Sequence, residues 1–137
     1  MAAILKDETA AITSSSDIVK VRQLVRELAI SLGFTLVEQT KVVTAASELA
    51  RNALVHGGGG NVRMQALNNE TRRGLKLTFS DEGPGIADLE QALKDGFSTG
   101  SGMGLGLSGA KRLANEFEIE SAPGQGTKVM ITRWRNT

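Results

Sequence analysis

The chain has no cysteine and only one histidine, His56. Without thiols it can form no disulfide, no thiolate nucleophile and no cysteine metal site. A lone histidine does not build a transition-metal centre. Tyrosine is absent and tryptophan occurs once, so stacking of bases on aromatic side chains is not its mode of binding. An excess of one charge is also missing. Sixteen Lys and Arg against 15 Asp and Glu leave a formal net charge of +1, without the basic surplus of a nucleic-acid binder. No run of about 18 apolar residues is available to span a membrane. The first eleven residues, MAAILKDETAA, lack the basic-then-apolar order of a signal peptide. These absences lead to the expectation of a cytoplasmic protein that engages neither nucleic acid nor membrane.

What is present is an ordinary globular composition, 40% apolar and 23% charged over 137 residues, which suits one domain spanning 1–137. Residues 8–14 read as a short strand, and SSSD after them supplies helix-capping side chains. Val21, Leu24, Val25, Leu28 and Leu32 then recur at helical spacing, and Gly33 fits the stop. A second helix is expected from Leu36 to Val55, with Val42, Ala46, Leu49 and Ala53 as its inner stripe and HGGGG as its end. NVRMQAL and GLKLTFS alternate apolar and polar residues and read as an antiparallel hairpin.

A glycine turn, a short helical piece over Leu89–Lys94 and a loop from Gly96 to Gly104 come next. A third helix is expected over Leu105–Glu116, then strands at Phe117–Ser121 and Gln125–Arg133 joined by APGQG. The layout predicts an α+β two-layer sandwich, a mixed and largely antiparallel sheet with helices packed on one face.

Three clusters carry candidate chemistry. Glu48 and Asn52 stand four residues apart, on one face of the second helix. Their oxygens suit a hard cation such as Mg²⁺, although a pair of this kind taken alone is more often a solvated helix face. Asp81 follows an apolar strand and opens DEGPG, in which Gly83 and Gly85 allow close approach to a flat ligand while the carboxylate accepts from an amino group. A tight turn would use the same residues. Gly102, Gly104 and Gly106 precede a helix, where free backbone N–H groups and the positive dipole end cradle phosphate. A plain linker is the alternative. The spacing G-x-G-x-G behind a polar loop is not the dinucleotide fingerprint, and G-K-[ST] is absent. The lysine, H-R-D and D-F-G set of the eukaryotic-type protein kinases is absent as well.

Taken in order, SELARNA, DEGPG, GMGLG and GQGT resemble the ATP-binding fold shared by gyrase, Hsp90, histidine kinases and MutL, the Bergerat or GHKL fold. The likeness runs from about residue 8 to residue 134. It implies that Asn52 binds Mg²⁺ bridging the phosphates and that Glu48 acts as, or positions, the general base. It implies that Asp81 bonds the adenine amino group, that Gly83 and Gly85 admit the nucleotide, and that Thr127 helps to hold adenine, usually through water. Gly102, Gly104 and Gly106 would form the lid over the phosphates.

His56 ends a helix and cannot serve as a histidine-kinase phospho-acceptor, and 137 residues leave no room for the further domains of gyrase, Hsp90 or MutL. The chain is therefore most similar to the small bacterial serine/threonine kinases that switch partners in stress signalling. Among them DIVKVRQLVRELAISLGFT and DGFSTGSGMGLGLSGAKRL resemble the stressosome switch kinases, with anti-sigma factor kinases as the sister branch. The resemblance implies ATP and Mg²⁺ as cofactors, STAS-domain scaffold or antagonist proteins as substrates, and a PP2C-type phosphatase as a partner to be activated. A pseudo-kinase switch that binds nucleotide without transfer is a third reading, and intact Glu48 and Asn52 argue against it. Arg51, Ser98 and Thr99 fit surface or loop roles as readily as partner or phosphate contacts, whereas His56, Lys111 and Arg112 fit capping or solvated surface roles better.

Overall fold

The computed structural model of the chain describes residues 3–86 and 107–135. The elements run β1 (Ala3–Ile12), α1 (Ser15–Ser31), α2 (Leu36–Val55), β2 (Gly60–Asn68), β3 (Arg73–Asp81), α3 (Leu107–Leu113), β4 (Glu116–Ser121) and β5 (Thr127–Trp134). The five strands form one sheet in the order β1-β2-β3-β5-β4. Every pairing in it is antiparallel. The expected helical piece at Leu89–Lys94 and the loop from Gly96 to Gly104 lie outside the described residues.

Alternation decides which face of the sheet is covered. Val62, Met64, Leu75, Leu77, Phe79, Val129 and Ile131 are buried on one face. They meet Val21, Val25 and Leu28 of α1 and Val42, Ala46, Leu49 and Ala53 of α2 in a single core. Leu24, the fifth member of the α1 stripe, packs only at its edge. The opposite face carries Arg63, Lys76, Thr78, Ser80 and Lys128, as expected of an antiparallel sheet with one side toward water.

α2 takes the bounds that the sequence predicts, and its start is locked by a capping box. Thr35 Oγ1 accepts from the Glu38 N–H at 3.2 Å, while Glu38 Oε1 accepts from the Thr35 N–H at 2.8 Å. The entry to α1 differs from the expectation. Ser14 is the N-cap and its side chain makes no capping bond. Asp17 reaches back instead, its Oδ2 accepting from Thr13 N at 2.8 Å and Thr13 Oγ1 at 2.9 Å.

Three strand and helix ends also shift. β1 starts at Ala3, because it pairs along the whole of β2 from Ala3↔Asn68 to Ile12↔Gly60. This edge pairing satisfies backbone groups while leaving Ile4 and Leu5 more than half exposed, so no burial pattern marks it. α3 stops at Leu113 rather than Glu116, since Asn115 leaves the helix to donate its N–H to Thr132 O and accept the Trp134 N–H at Oδ1. Arg133 Nη1 donates to Leu113 O at 3.1 Å and ties the end of α3 to the sheet. β5 begins at Thr127 because Gln125 still belongs to the turn, its N–H bonded to Ala122 O.

Two aspartates are expected to add to the acid sensitivity of the fold. Hydrogen bonds from the Thr13 N–H hold the Asp17 carboxyl below the ordinary Asp value of 3.8. The Arg63 guanidinium, bonded to both Asp7 oxygens at 3.0 and 2.6 Å, does the same for Asp7. A carboxyl with a lowered folded-state pKa contributes stability that is complete above its unfolded value and is lost as pH falls through its folded value. Thermal midpoints should therefore hold near neutrality and decline below about pH 4. The decline should be shallower in an Asp7→Asn, Asp17→Asn double variant; an unaltered acid limb there would show that other groups govern it.

Candidate functional site

The sheet ends in one row that crosses all five strands. Ile12 faces Gly60, Gly60 faces Asp81, Asp81 faces Thr127, and Thr127 faces Ser121. Residues directly opposite on neighbouring strands project to the same face. Asp81 continues the alternation of Leu75, Leu77 and Phe79, and Thr127 that of Val129 and Ile131, so both point to the helix-covered side. The hydrophobic core thus gives way to a polar row at its end, where half-buried Asp81 and half-buried Thr127 face each other across β3 and β5.

Local bonds hold each group in place. Asp81 Oδ1 accepts from the Gly83 N–H at 2.9 Å, which closes the turn after β3. Its other oxygen lies toward Gly57. A methyl group at Gly57 would overlap the Asp81 carboxyl, and one at Gly83 would stand 2.6 Å from Gly57 Cα. Gly57 is in turn bound to α2, its N–H donating to Asn52 O at 3.1 Å, and His56 N–H reaches the same carbonyl at 3.0 Å. The end of α2 and the end of β3 are therefore stitched together through a residue without a side chain. Gly85 has φ of +77° and passes against the Ala122 carbonyl, so no other residue fits there.

Glu48 and Asn52 lie one turn apart on α2, both half-buried. The Asn52 backbone carbonyl is joined to the Asp81 turn through Gly57. An open cleft of about 590 Å³ at this end is lined by Gly57, Gly58, Gly59, Gly60, Asn61, Ser80, Asp81 and Glu82. It is within the size range of small-molecule sites. Of the sequence candidates it touches Asp81, and not Glu48, Asn52 or Thr127. Gly102, Gly104 and Gly106 lie outside the described residues.

Two contributors were missed in the sequence. A helix stop accounts for one glycine of the run Gly57–Gly60; four in a row are the signal for close packing. Ser121 was read as a strand end. Its Oγ accepts from the Ile86 N–H at 2.8 Å, donates to Gly126 O at 2.9 Å and meets Thr127 Oγ1 at 2.8 Å. It thus joins the turn after β3 to the start of β5. A hydroxyl six residues before Thr127, across a tight turn, was the available sign.

Among the described residues no group of three His, Cys, Asp or Glu could hold a metal. Mg²⁺ bound with substrate phosphates and waters asks the protein for only one or two oxygen donors. The Asn52 carboxamide oxygen, with Glu48 a turn away, fits such a donor. Among the same residues, no helix is long and apolar enough to cross a membrane.

Residues 37–136 match the family model described as histidine kinase-, DNA gyrase B-, and HSP90-like ATPase. The serine/threonine-protein kinase RsbT of Bacillus subtilis is 44% identical over 118 residues, covering 86% of this chain and 89% of that protein. An anti-sigma F factor of Thermoanaerobacter is 32% identical over 118 residues, 82% of each chain. Among solved structures, the RsbU and RsbW domains of a Mycobacterium tuberculosis protein superpose with a TM-score of 0.66 at 19% identity, over 96% of this chain and 34% of that one. The SiaB–SiaC complex of Pseudomonas aeruginosa gives 0.53 at 19% identity, over 96% of this chain and 90% of the matched one. The family model spans Gly60, Asp81, Ser121 and Thr127 of the polar row and the glycine turn among them, and the solved structures share the fold. The chain belongs to the histidine kinase-, DNA gyrase B- and HSP90-like ATPase family.

Proposed function

We propose that this chain, a single domain over residues 1–137, is an ATP-dependent serine/threonine protein kinase that works as a partner switch in stress signalling. Its substrates are STAS-domain scaffold or antagonist proteins, and on release from them it activates a PP2C-type phosphatase in the cytoplasm. The observation that carries this reading is the pairing of Asp81 with Thr127 at the end of the sheet, in a chain 44% identical to a serine/threonine-protein kinase.

Phosphoryl transfer asks mainly for positioning and for charge stabilisation. Asp81, its carboxylate fixed by the Gly83 N–H, accepts from the adenine amino group. Thr127 supports the same edge of the base. Gly83 and Gly85 let the backbone approach the nucleotide, and Gly102, Gly104 and Gly106 cover the phosphates. Asn52 would hold Mg²⁺, which when bound neutralises charge on the phosphates. Glu48 accepts the proton of the substrate hydroxyl or orients that hydroxyl for attack.

Asp81→Asn puts an amide where a charged acceptor stood. It should weaken ATP binding by about 1.5–3 kcal/mol, the range for a hydrogen bond to a charged group. Calorimetry should also find GTP bound more weakly than ATP by the unaltered protein. Equal affinity for the two would remove Asp81 from this role.

The similarity to anti-sigma F factors supports a second reading, a kinase that holds a sigma factor and phosphorylates its STAS antagonist. Nucleotide chemistry is common to both, so partner capture separates them. Pull-down from the source lysate should retain STAS proteins in the apo or ADP state and release them after ATP, because an added phosphate disrupts the interface. Recovery of a sigma factor without a STAS scaffold would favour the second reading.

A further inference from the structure

The hydroxyl of Ser121 is fully committed, and this fixes the polarity of its neighbour. A serine hydroxyl has one proton to give and two lone pairs to receive. Its proton goes to Gly126 O at 2.9 Å. One lone pair takes the Ile86 N–H at 2.8 Å. The remaining contact, 2.8 Å to Thr127 Oγ1, must then be donated by Thr127 into the second lone pair. Thr127 has spent its only proton and can offer the site nothing but lone pairs.

Across the strand pair stands Asp81, facing Thr127 in register. Its carboxylate has no proton to offer either. This corner of the row is therefore a pair of acceptors, one charged and one neutral. A ligand edge that donates from an amino group satisfies it. A carbonyl presented to these two side chains would find only acceptors, and the mismatch leaves polar groups unpaired.

We propose that Ser121 is a specificity-determining positioning residue: by locking the Thr127 hydroxyl as an acceptor, it makes Thr127 and Asp81 together select a purine with an amino group over one with a carbonyl. The proposal rests on the reading of this row as the base-binding end of an ATP site. Ser121 itself touches no substrate. It works through Thr127 and through the Ile86 N–H, which ends the turn containing Gly83 and Gly85.

ATP and ITP differ along this edge, a 6-amino group beside an N1 acceptor in one and a 6-carbonyl beside an N1–H donor in the other, and serve as the probes. Their dissociation constants are measured by calorimetry for the full chain and for Ser121→Ala, Ser121→Thr and Thr127→Val, with thermal midpoints as a check on folding. Ser121→Ala frees the Thr127 proton to meet a carbonyl. The preference for ATP over ITP should drop by about tenfold, the factor set by one hydrogen bond of ordinary net strength. Ser121→Thr keeps a hydroxyl and should keep the preference. Thr127→Val should reduce it, and adding Ser121→Ala to Thr127→Val should change the ratio no further.

Equal weakening of both nucleotides by Ser121→Ala is what a purely structural serine gives, and it would overturn the proposal. Should that variant fail to fold, Thr127→Val decides: an undiminished ATP preference there overturns the proposal equally. Failure of the unaltered protein to bind ATP would sink the ATP reading and this inference together. ATP binding with an unmoved ratio would sink this inference alone.

Discussion

Asn52→Ala is expected to reduce phosphoryl transfer by about 10³-fold or more while the protein remains folded. The magnitude follows from what is removed: contacts that stabilise charge on a transferring phosphoryl group are each worth roughly 10²–10⁵ in rate. The expectation of an intact fold follows from how Asn52 serves α2. Its backbone carbonyl, which accepts the His56 and Gly57 N–H groups, is kept by alanine. Alanine is also the best helix former for an interior helical position. The glycine turn onto Asp81 thus stays in place, and the loss falls on the carboxamide alone. Single-turnover transfer is the measurement, followed over rising Mg²⁺. An unchanged rate in excess Mg²⁺ would remove Asn52 from the metal site.

Glu48→Gln separates chemistry from binding. The substitution keeps size and hydrogen-bonding reach but removes the ability to take up a proton as a carboxylate. Glu48 is half-buried one turn before Asn52, so glutamine can occupy its place without overpacking. Nucleotide affinity by calorimetry should hold within a few fold. Turnover should drop by about 10²–10⁴, the scale of general acid–base help. If turnover holds instead, Glu48 has a structural role. If both affinity and turnover fall together, it contacts the nucleotide and not the reacting hydroxyl.

The elements that could be read from the sequence are those whose signals are local. Val42, Ala46, Leu49 and Ala53 repeat at helical spacing, and all four are buried in α2 between its predicted ends. NVRMQAL and GLKLTFS alternate with period two and pair throughout as β2 and β3. Features that depend on distant partners were not legible. The first half of β1 is held by edge pairing to β2, which requires no hydrophobic pattern in Ala3–Asp7. The end of α3 is set by Asn115, which leaves the helix for partners in β5, Thr132 and Trp134.

The candidate site divides in the same way. Asp81 could be singled out because a carboxylate, two glycines and a proline follow an apolar strand at once. That Thr127 stands beside it depends on a strand register between segments 46 residues apart, the difference between 81 and 127. Ser121 and Gly57 leave only faint signs in the sequence, a hydroxyl six residues before Thr127 and a run of four glycines, because each acts through the residue it touches in the folded chain. The family resemblance points to Thr127 without any knowledge of register. It could not supply the hydroxyl chain behind it.

The most direct measurement is phosphate transfer itself. The purified chain is mixed with Mg²⁺, ATP labelled in its γ-phosphate and a STAS-domain protein, and label on the substrate is followed by gel and by phosphoamino-acid analysis. The account predicts stoichiometric label on serine or threonine of the STAS protein, dependent on Mg²⁺ and lost with Asn52→Ala. Label released only as inorganic phosphate, or no turnover of bound ATP with the STAS protein present, would contradict a kinase.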